Sequence, residues 1–157
     1  MWLAASRDHR ASLPSDKKIE RKKKTENLKV ACWNIRTMQD SEDRPQKSSV
    51  LVARELARLD IDIVALSEVR FAEQGSLKEE GARYTIFWSG KNQDEVRLSG
   101  VGFMIKFSIP RKFQNLPVGH SDRIMSLRLS IQDNNFATVL SVCEPTLQTE
   151  TGVMEAF

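Results

Sequence analysis

Two short stretches, LKVACWN at residues 28–34 and IDIVALSE at residues 61–68, set the fold expected for this chain. Each is a run of β-branched, aromatic and other apolar residues, which is typical of a strand. The second run is almost continuously apolar and therefore predicts a central strand covered on both faces. A polar side chain closes each run, Asn34 the first and Glu68 the second.

The segment between these two strands has the pattern of a helix. From Gln46 to Leu59, the apolar residues Val52, Leu56 and Leu59 fall at positions i, i+4 and i+7. Strand, helix and strand in this order predict a βαβ-type unit. If its two strands are parallel neighbours, Asn34 and Glu68 face one another, because side chains at the carboxyl ends of such strands converge outside the sheet edge.

The remainder of the chain is predicted to consist of strands and loops. A charged loop with Gly75 and Gly81 is expected after Glu68, and an incomplete helix is expected at Thr149–Phe157. The last two predicted strands form a hairpin across the turn-like residues 132–135. The four further strands are predicted at Tyr84–Trp88, Gly100–Ile105, Ile124–Ile131 and Phe136–Val142.

Composition excludes several classes of protein. The 157 residues suit one domain. No apolar run reaches the roughly 18 residues of a membrane span, which predicts that the chain does not enter a membrane. The two cysteines, Cys32 and Cys143, are too few for a disulfide framework or a four-cysteine zinc site. Cys32 lies in an apolar strand and is expected in the core. An early charged N-terminus without a signal-peptide pattern predicts a reducing, intracellular compartment.

The basic charge is concentrated at the N-terminus. Residues 1–29 hold nine Lys and Arg against four Asp and Glu, a net charge of +5, whereas the other 128 residues carry −2. Residues 1–27 have few large apolar side chains, so we expect a disordered basic arm. Its lysine run, which includes Lys22, Lys23 and Lys24, is either a nuclear-import or phosphate-contacting segment or a solvated leader without a partner.

Asn34 and Glu68 are the candidate catalytic residues. Magnesium is usually held by one or two carboxylates together with water and substrate oxygens, so Glu68 is the candidate metal ligand. An amide such as that of Asn34 can orient a phosphate or a nucleophilic water. The alternative interpretation is structural, with Asn34 as a capping residue and Glu68 as a surface carboxylate.

The segments around these residues resemble the opening motifs of the endonuclease/exonuclease/phosphatase superfamily and, within it, the endonuclease domains of non-LTR retrotransposons and their host relatives. The resemblance covers residues 28–157. It rests on the segments LKVACWNIRT (28–37), DIVALSEVR (62–70), LSGVGF (98–103), SDRIMSLRL (121–129) and FATVLSV (136–142) with Pro145 and Thr146 after it.

The resemblance implies an α/β fold, namely part of a four-layered α/β sandwich with mixed sheets and helices outside. It also implies Mg²⁺-dependent cleavage of phosphodiester bonds and DNA as the partner. Separately, we expect a nuclear rather than a cytoplasmic location. Glu68 would be a metal ligand, and Asn34 would help to place the scissile phosphate. The chemistry would be in-line attack by water.

Several parts of the superfamily pattern are missing. Its later Gly-Asp-Phe-Asn and Ser-Asp-His motifs do not occur, and residues 133–135 and 120–122 contain similar residue types only in predicted turns. Cys143 stands where related proteins have a tyrosine near the phosphate, and no partner that would make it a nucleophile is evident. We therefore expect a truncated, N-terminal portion of such an endonuclease, catalytically incompetent alone. The alternative is a non-catalytic nucleic-acid or protein-binding module that uses the basic arm.

Overall fold

A computed structural model of the protein describes residues 27–39, 47–109, 113, 115–131 and 135–145. In chain order the elements are β1 (Val30–Asn34), α1 (Ser48–Arg58), β2 (Ile63–Ser67), β3 (Gln74–Glu79), β4 (Tyr84–Ser89), β5 (Val101–Lys106), β6 (Val118–Gly119), β7 (Ile124–Ser130) and β8 (Phe136–Val142). The arm with Lys22–Lys24 and the predicted helix at Thr149–Phe157 lie outside the described residues.

The first sheet has five strands in the order β1-β2-β5-β4-β3. Strands β1 and β2 are parallel, with Asn34 opposite Ser67, while the other neighbouring pairs are antiparallel. The sheet is therefore mixed, as predicted, and the βαβ-type unit is confirmed. The apolar run of β2 is explained by cover on both faces, because Val64 and Leu66 pack against α1 while Ile63 packs against the second sheet.

The second sheet has three antiparallel strands in the order β6-β7-β8. The predicted hairpin is confirmed, since β7 and β8 pair from Ile124–Val142 to Ser130–Phe136. The alternation in β7 directs Met125, Leu127 and Leu129 towards the five-stranded sheet. There they join a core cluster that includes Ile63, Val101, Phe103, Ile105 and Ile109. The Ser141 hydroxyl donates a buried 2.8 Å hydrogen bond to the Leu66 carbonyl and ties the two sheets together.

Helix α1 covers the opposite face of the five-stranded sheet. Its buried Ala53 and Leu56 pack with Val64, Leu66 and the other members of a second core cluster, which are Met38, Val69, Tyr84, Ile86 and Met104. The described residues thus form three layers of an α/β sandwich: one helix and two sheets. The outer face of the three-stranded sheet exposes about half of each of the Val118, Leu140 and Val142 side chains.

Three sequence-based expectations differ from the structure. The loop predicted after Glu68 contains β3, a polar edge strand that pairs along its whole length with β4. Gly75 permits this pairing because a Cβ at this position would overlap the Trp88 ring. The short strand β6 was not predicted. Cys32, expected in the core, is exposed because β1 is an edge strand.

In the described part of the chain, no helix is long enough and apolar enough to cross a membrane.

Candidate functional site

The structure brings Asn34 and Glu68 into direct contact. The parallel register aligns the ends of β1 and β2, and Glu68 directly follows β2. The Asn34 side-chain amide, through Nδ2, donates a 2.7 Å hydrogen bond to Glu68 Oε1. In turn, Asn34 Oδ1 accepts a 3.0 Å hydrogen bond from the backbone N–H of Arg36, which orients the amide group. The expected approach of the two side chains is therefore found, and their catalytic roles stay predictions.

Arg70 occupies the other side of the Glu68 carboxylate. Its Nη2 donates to Glu68 Oε2 at 3.0 Å, and both side chains are largely shielded from solvent. Sequence reasoning did not assign a function to Arg70. The signal was available, because Arg70 lies two residues after Glu68 in the same segment, but the folded loop is needed to show that the two side chains meet.

The loop that carries these side chains has unusual backbone conformations. Glu68 and Arg70 have positive φ angles of 57° and 60°, and Arg36, after β1, has a φ of 60°. Such left-handed conformations are uncommon outside glycine and concentrate at functional sites. Three backbone hydrogen bonds hold the loop: from the Val69 N–H to the Gly100 carbonyl, from the Arg70 N–H to the Ser99 carbonyl and from the Met38 N–H to the Val69 carbonyl.

Two buried residues lie next to Glu68: Arg123, which directly precedes β7, and Cys143, which directly follows β8. The Arg123 guanidinium is nine-tenths buried and donates through Nη1 to the Glu144 carbonyl at 3.1 Å. Cys143 is buried next to it. Burial raises the pKa of the Cys143 thiol, while a hydrogen bond from the Glu68 backbone amide and the charge of Arg123 oppose the shift. The thiol is therefore protonated at neutral pH and is a poor nucleophile.

The His and Asp of residues 120–122 are not paired with one another among the described contacts. His120 Nε2 lies 2.8 Å from the Ser126 hydroxyl, and the Asp122 carboxylate accepts a hydrogen bond from the Ser99 hydroxyl. Both residues lie in the turn between β6 and β7. This agrees with the expectation that the segment is a turn and not a displaced catalytic motif.

Two clefts open beside Asn34. One, of about 240 Å³, lies between the end of β1 and α1 and is lined by residues that include Trp33, Arg36 and Leu51. The other, of about 390 Å³, runs between the edge strands β1 and β8 and is lined by residues that include Ser67 and Leu140. Asn34 lines both clefts, so a ligand can approach it from either side of β1.

The donor groups at the site suit Mg²⁺ in kind and are few in number. Among the residues that the structure describes, no three His, Cys, Asp or Glu side chains come together in a cluster that could hold a metal ion. Glu68 supplies one carboxylate, and a single carboxylate with water is an accepted arrangement for Mg²⁺. The Arg70 guanidinium donates a hydrogen bond to Oε2 of that carboxylate. A cation can therefore bind both oxygens of Glu68 only if the Arg70 side chain moves.

Comparisons with known proteins agree with this architecture. The sequence profile of the Endonuclease/Exonuclease/phosphatase family matches residues 31–150. Craniofacial development protein 2 of Tragulus javanicus is 30% identical over 131 residues, which are 82% of this chain and 20% of that protein. The protein of the same name from Bos taurus is 29% identical over 131 residues, with the same coverage. The chain thus spans about a fifth of the length of these relatives.

Proposed function

Because the chain belongs to the endonuclease/exonuclease/phosphatase family, we propose that Asn34 and Glu68 form part of a Mg²⁺-dependent, endonuclease-type site for the phosphodiester bonds of DNA. The observation that carries this proposal is the 2.7 Å hydrogen bond between the two side chains at the carboxyl ends of β1 and β2. It places a carboxylate and an amide donor at one point, beside two open clefts.

The two residues have separate tasks in this proposal. Glu68 holds the cation, which when bound supplies positive charge to the phosphate and to the leaving oxygen. The Asn34 amide donates to a phosphate oxygen and fixes its position, since its own oxygen is oriented by the Arg36 backbone N–H. Cys143 takes no chemical part, because its thiol is buried and protonated.

We further propose that these 157 residues, of retrotransposon-type endonuclease origin, do not sustain nuclease turnover alone. Neither the Gly-Asp-Phe-Asn nor the Ser-Asp-His motif occurs in them. In a plasmid-nicking assay with Mg²⁺, the unaltered chain should therefore cleave no more plasmid than the Glu68→Ala variant does. Cleavage by the unaltered chain that Glu68→Ala abolishes would overturn the proposed incompetence and support the site.

Metal binding tests the site without turnover. Manganese, a paramagnetic substitute for Mg²⁺, should broaden the NMR signals of Asn34 and Glu68 before those of other residues. Glu68→Ala should abolish this selective broadening. The matched control is Glu55→Ala, which removes a partly exposed glutamate of α1 that is paired with Arg58 and should leave the broadening intact. Broadening that survives Glu68→Ala would contradict the assignment of Glu68 as the metal ligand.

A second candidate function is nucleic-acid binding through the basic arm, together with a nuclear location. The net charge of +5 in residues 1–29 supports it. Lys and Arg side chains that neutralise phosphates release the counterions bound there, and this release favours binding. In a salt titration, replacing Lys22, Lys23 and Lys24 by Ala should weaken DNA binding and reduce its salt dependence, while Glu68→Ala should not. A tagged chain that remains in the cytoplasm would contradict the nuclear proposal.

A further inference from the structure

The Arg70 guanidinium has more hydrogen-bonding capacity than the described residues use. Arginine carries five N–H donors. Among the described residues, one side-chain hydrogen bond is made, the 3.0 Å bond from Nη2 to Glu68. Its Nε is buried and has no acceptor in the described part of the chain. A buried donor without an acceptor is costly, so an acceptor supplied by a ligand would stabilise this group.

The backbone positions Arg70 independently of its bond to Glu68. Its N–H donates to the Ser99 carbonyl at 3.1 Å, and its carbonyl accepts a 2.9 Å hydrogen bond from the Gln39 side chain. The side chain remains about one-third exposed. The guanidinium can therefore leave Glu68 without loss of the bonds that hold the loop.

The Glu68 carboxylate is bound as an external anion would be. One oxygen accepts from Asn34 Nδ2 and the other from Arg70 Nη2. The contact with Arg70 uses a single guanidinium nitrogen. A phosphate can offer two oxygens to the guanidinium in the parallel, two-bond geometry that arginine favours.

We infer that Arg70 is a phosphate-binding residue of this site. Without a phosphate, its guanidinium pairs with the Glu68 carboxylate, and a bound phosphate takes the place of that carboxylate. The inference rests on the proposed function, and it adds a residue that binds the substrate directly. Glu68 is in this respect an internal competitor of the phosphate. Neutralising Glu68 should strengthen phosphate binding only while Arg70 is present.

The test uses the full chain in EDTA, so that no divalent cation takes part. Inorganic phosphate is titrated while the ¹H–¹⁵N signal of Arg70 Nε is followed by NMR, and a short single-stranded oligonucleotide is titrated by fluorescence anisotropy. Glu68→Gln should raise phosphate affinity about tenfold, the size of effect expected for one charge-assisted hydrogen bond. Arg70→Gln should abolish this gain, and Arg70→Lys should retain part of it because the charge remains without the planar fork.

The ion pair of Arg58 with Glu55 on α1 is the matched control, with Nη2 and Oε1 2.6 Å apart on the protein surface. Glu55→Gln should change phosphate affinity little. An equal gain from Glu55→Gln and Glu68→Gln, or a gain from Glu68→Gln that persists with Arg70→Gln, would overturn the role of Arg70.

The oligonucleotide measurement shows whether the site binds phosphates of a nucleic-acid strand as well as free phosphate. A gain in affinity for both ligands on Glu68→Gln supports the inference. Absence of phosphate and oligonucleotide binding in every variant, Glu68→Gln included, would refute both this inference and the proposed function. Manganese broadening that depends on Glu68, combined with phosphate binding that is indifferent to Arg70, would refute this inference alone. Circular dichroism melts show whether each variant is folded. If Arg70→Gln does not fold, Arg70→Lys takes its place in the comparison.

Discussion

Replacing Gly100 by Ala should destabilise the fold at the loop that carries the candidate site. Gly100 has a φ of 117°, which L side chains rarely adopt, and a Cβ there would lie 2.8 Å from the backbone nitrogen of Arg70. That nitrogen donates to Ser99 and cannot rotate away as a side chain would. Backbone strain of about 1–3 kcal/mol and a weakened backbone hydrogen bond of about 1–2 kcal/mol together predict a loss of roughly 2–5 kcal/mol.

Urea denaturation followed by circular dichroism measures this loss. With a slope of about 2 kcal/mol per molar urea, the midpoint should fall by roughly 1–2.5 M. Gly81→Ala is the matched control, since Gly81 is exposed and a Cβ there meets nothing within 4 Å. It should change stability by less than about 1 kcal/mol. Equal midpoints for the two variants would refute the argument from φ and close approach.

Three further predictions concern the core, the cysteines and a surface carboxylate. Leu127→Ala, which truncates a fully buried side chain between the sheets, should cost about 2–5 kcal/mol by urea denaturation. Ellman's reagent should modify exposed Cys32 promptly and buried Cys143 only on unfolding, and equal rates would contradict the burial. Hydrogen bonds from Lys106 and a second lysine lower the pKa of Asp60 from 3.8 to about 2. Ionised Asp60 therefore stabilises the folded state above pH 3.8, this contribution is lost as the pH falls through 2, and Asp60→Asn should remove it from the acid-denaturation curve.

The βαβ-type unit could be predicted because its signals are local and agree with one another. Continuous apolar character predicted that β2 is central, and the helical period of Val52 and Leu56 predicted α1. Parallel pairing then follows from the crossover through a helix, and it brings Asn34 to Glu68. In β7, strict alternation of apolar and polar residues accounts for the side chains that face the core.

The misplaced features depend on neighbours that are distant in sequence. The strand β3 has the polar sequence QGSLKE and forms because β4 offers it a complete edge. Cys32 lies in an apolar run, yet it is exposed because β1 is the outermost strand of its sheet. Propensity reports how a residue suits a pleated surface, and it does not report whether another layer covers that surface.

The pairing of Arg70 with Glu68 shows why half of a site can be predicted and the other half cannot. In an extended strand, residues two apart lie on the same face, but these two residues follow β2 in a loop where both have positive φ. Their contact therefore depends on the turn of the loop. Ser99 and Gly100, which directly precede β5, hold this turn through their backbone carbonyls. A substitution at Gly100 and one at Arg70 should consequently both affect the anion binding proposed for Arg70. Gly100→Ala would act by displacing the Arg70 backbone, whereas Arg70→Gln would act by removing the guanidinium, so only the first should also lower the urea midpoint strongly.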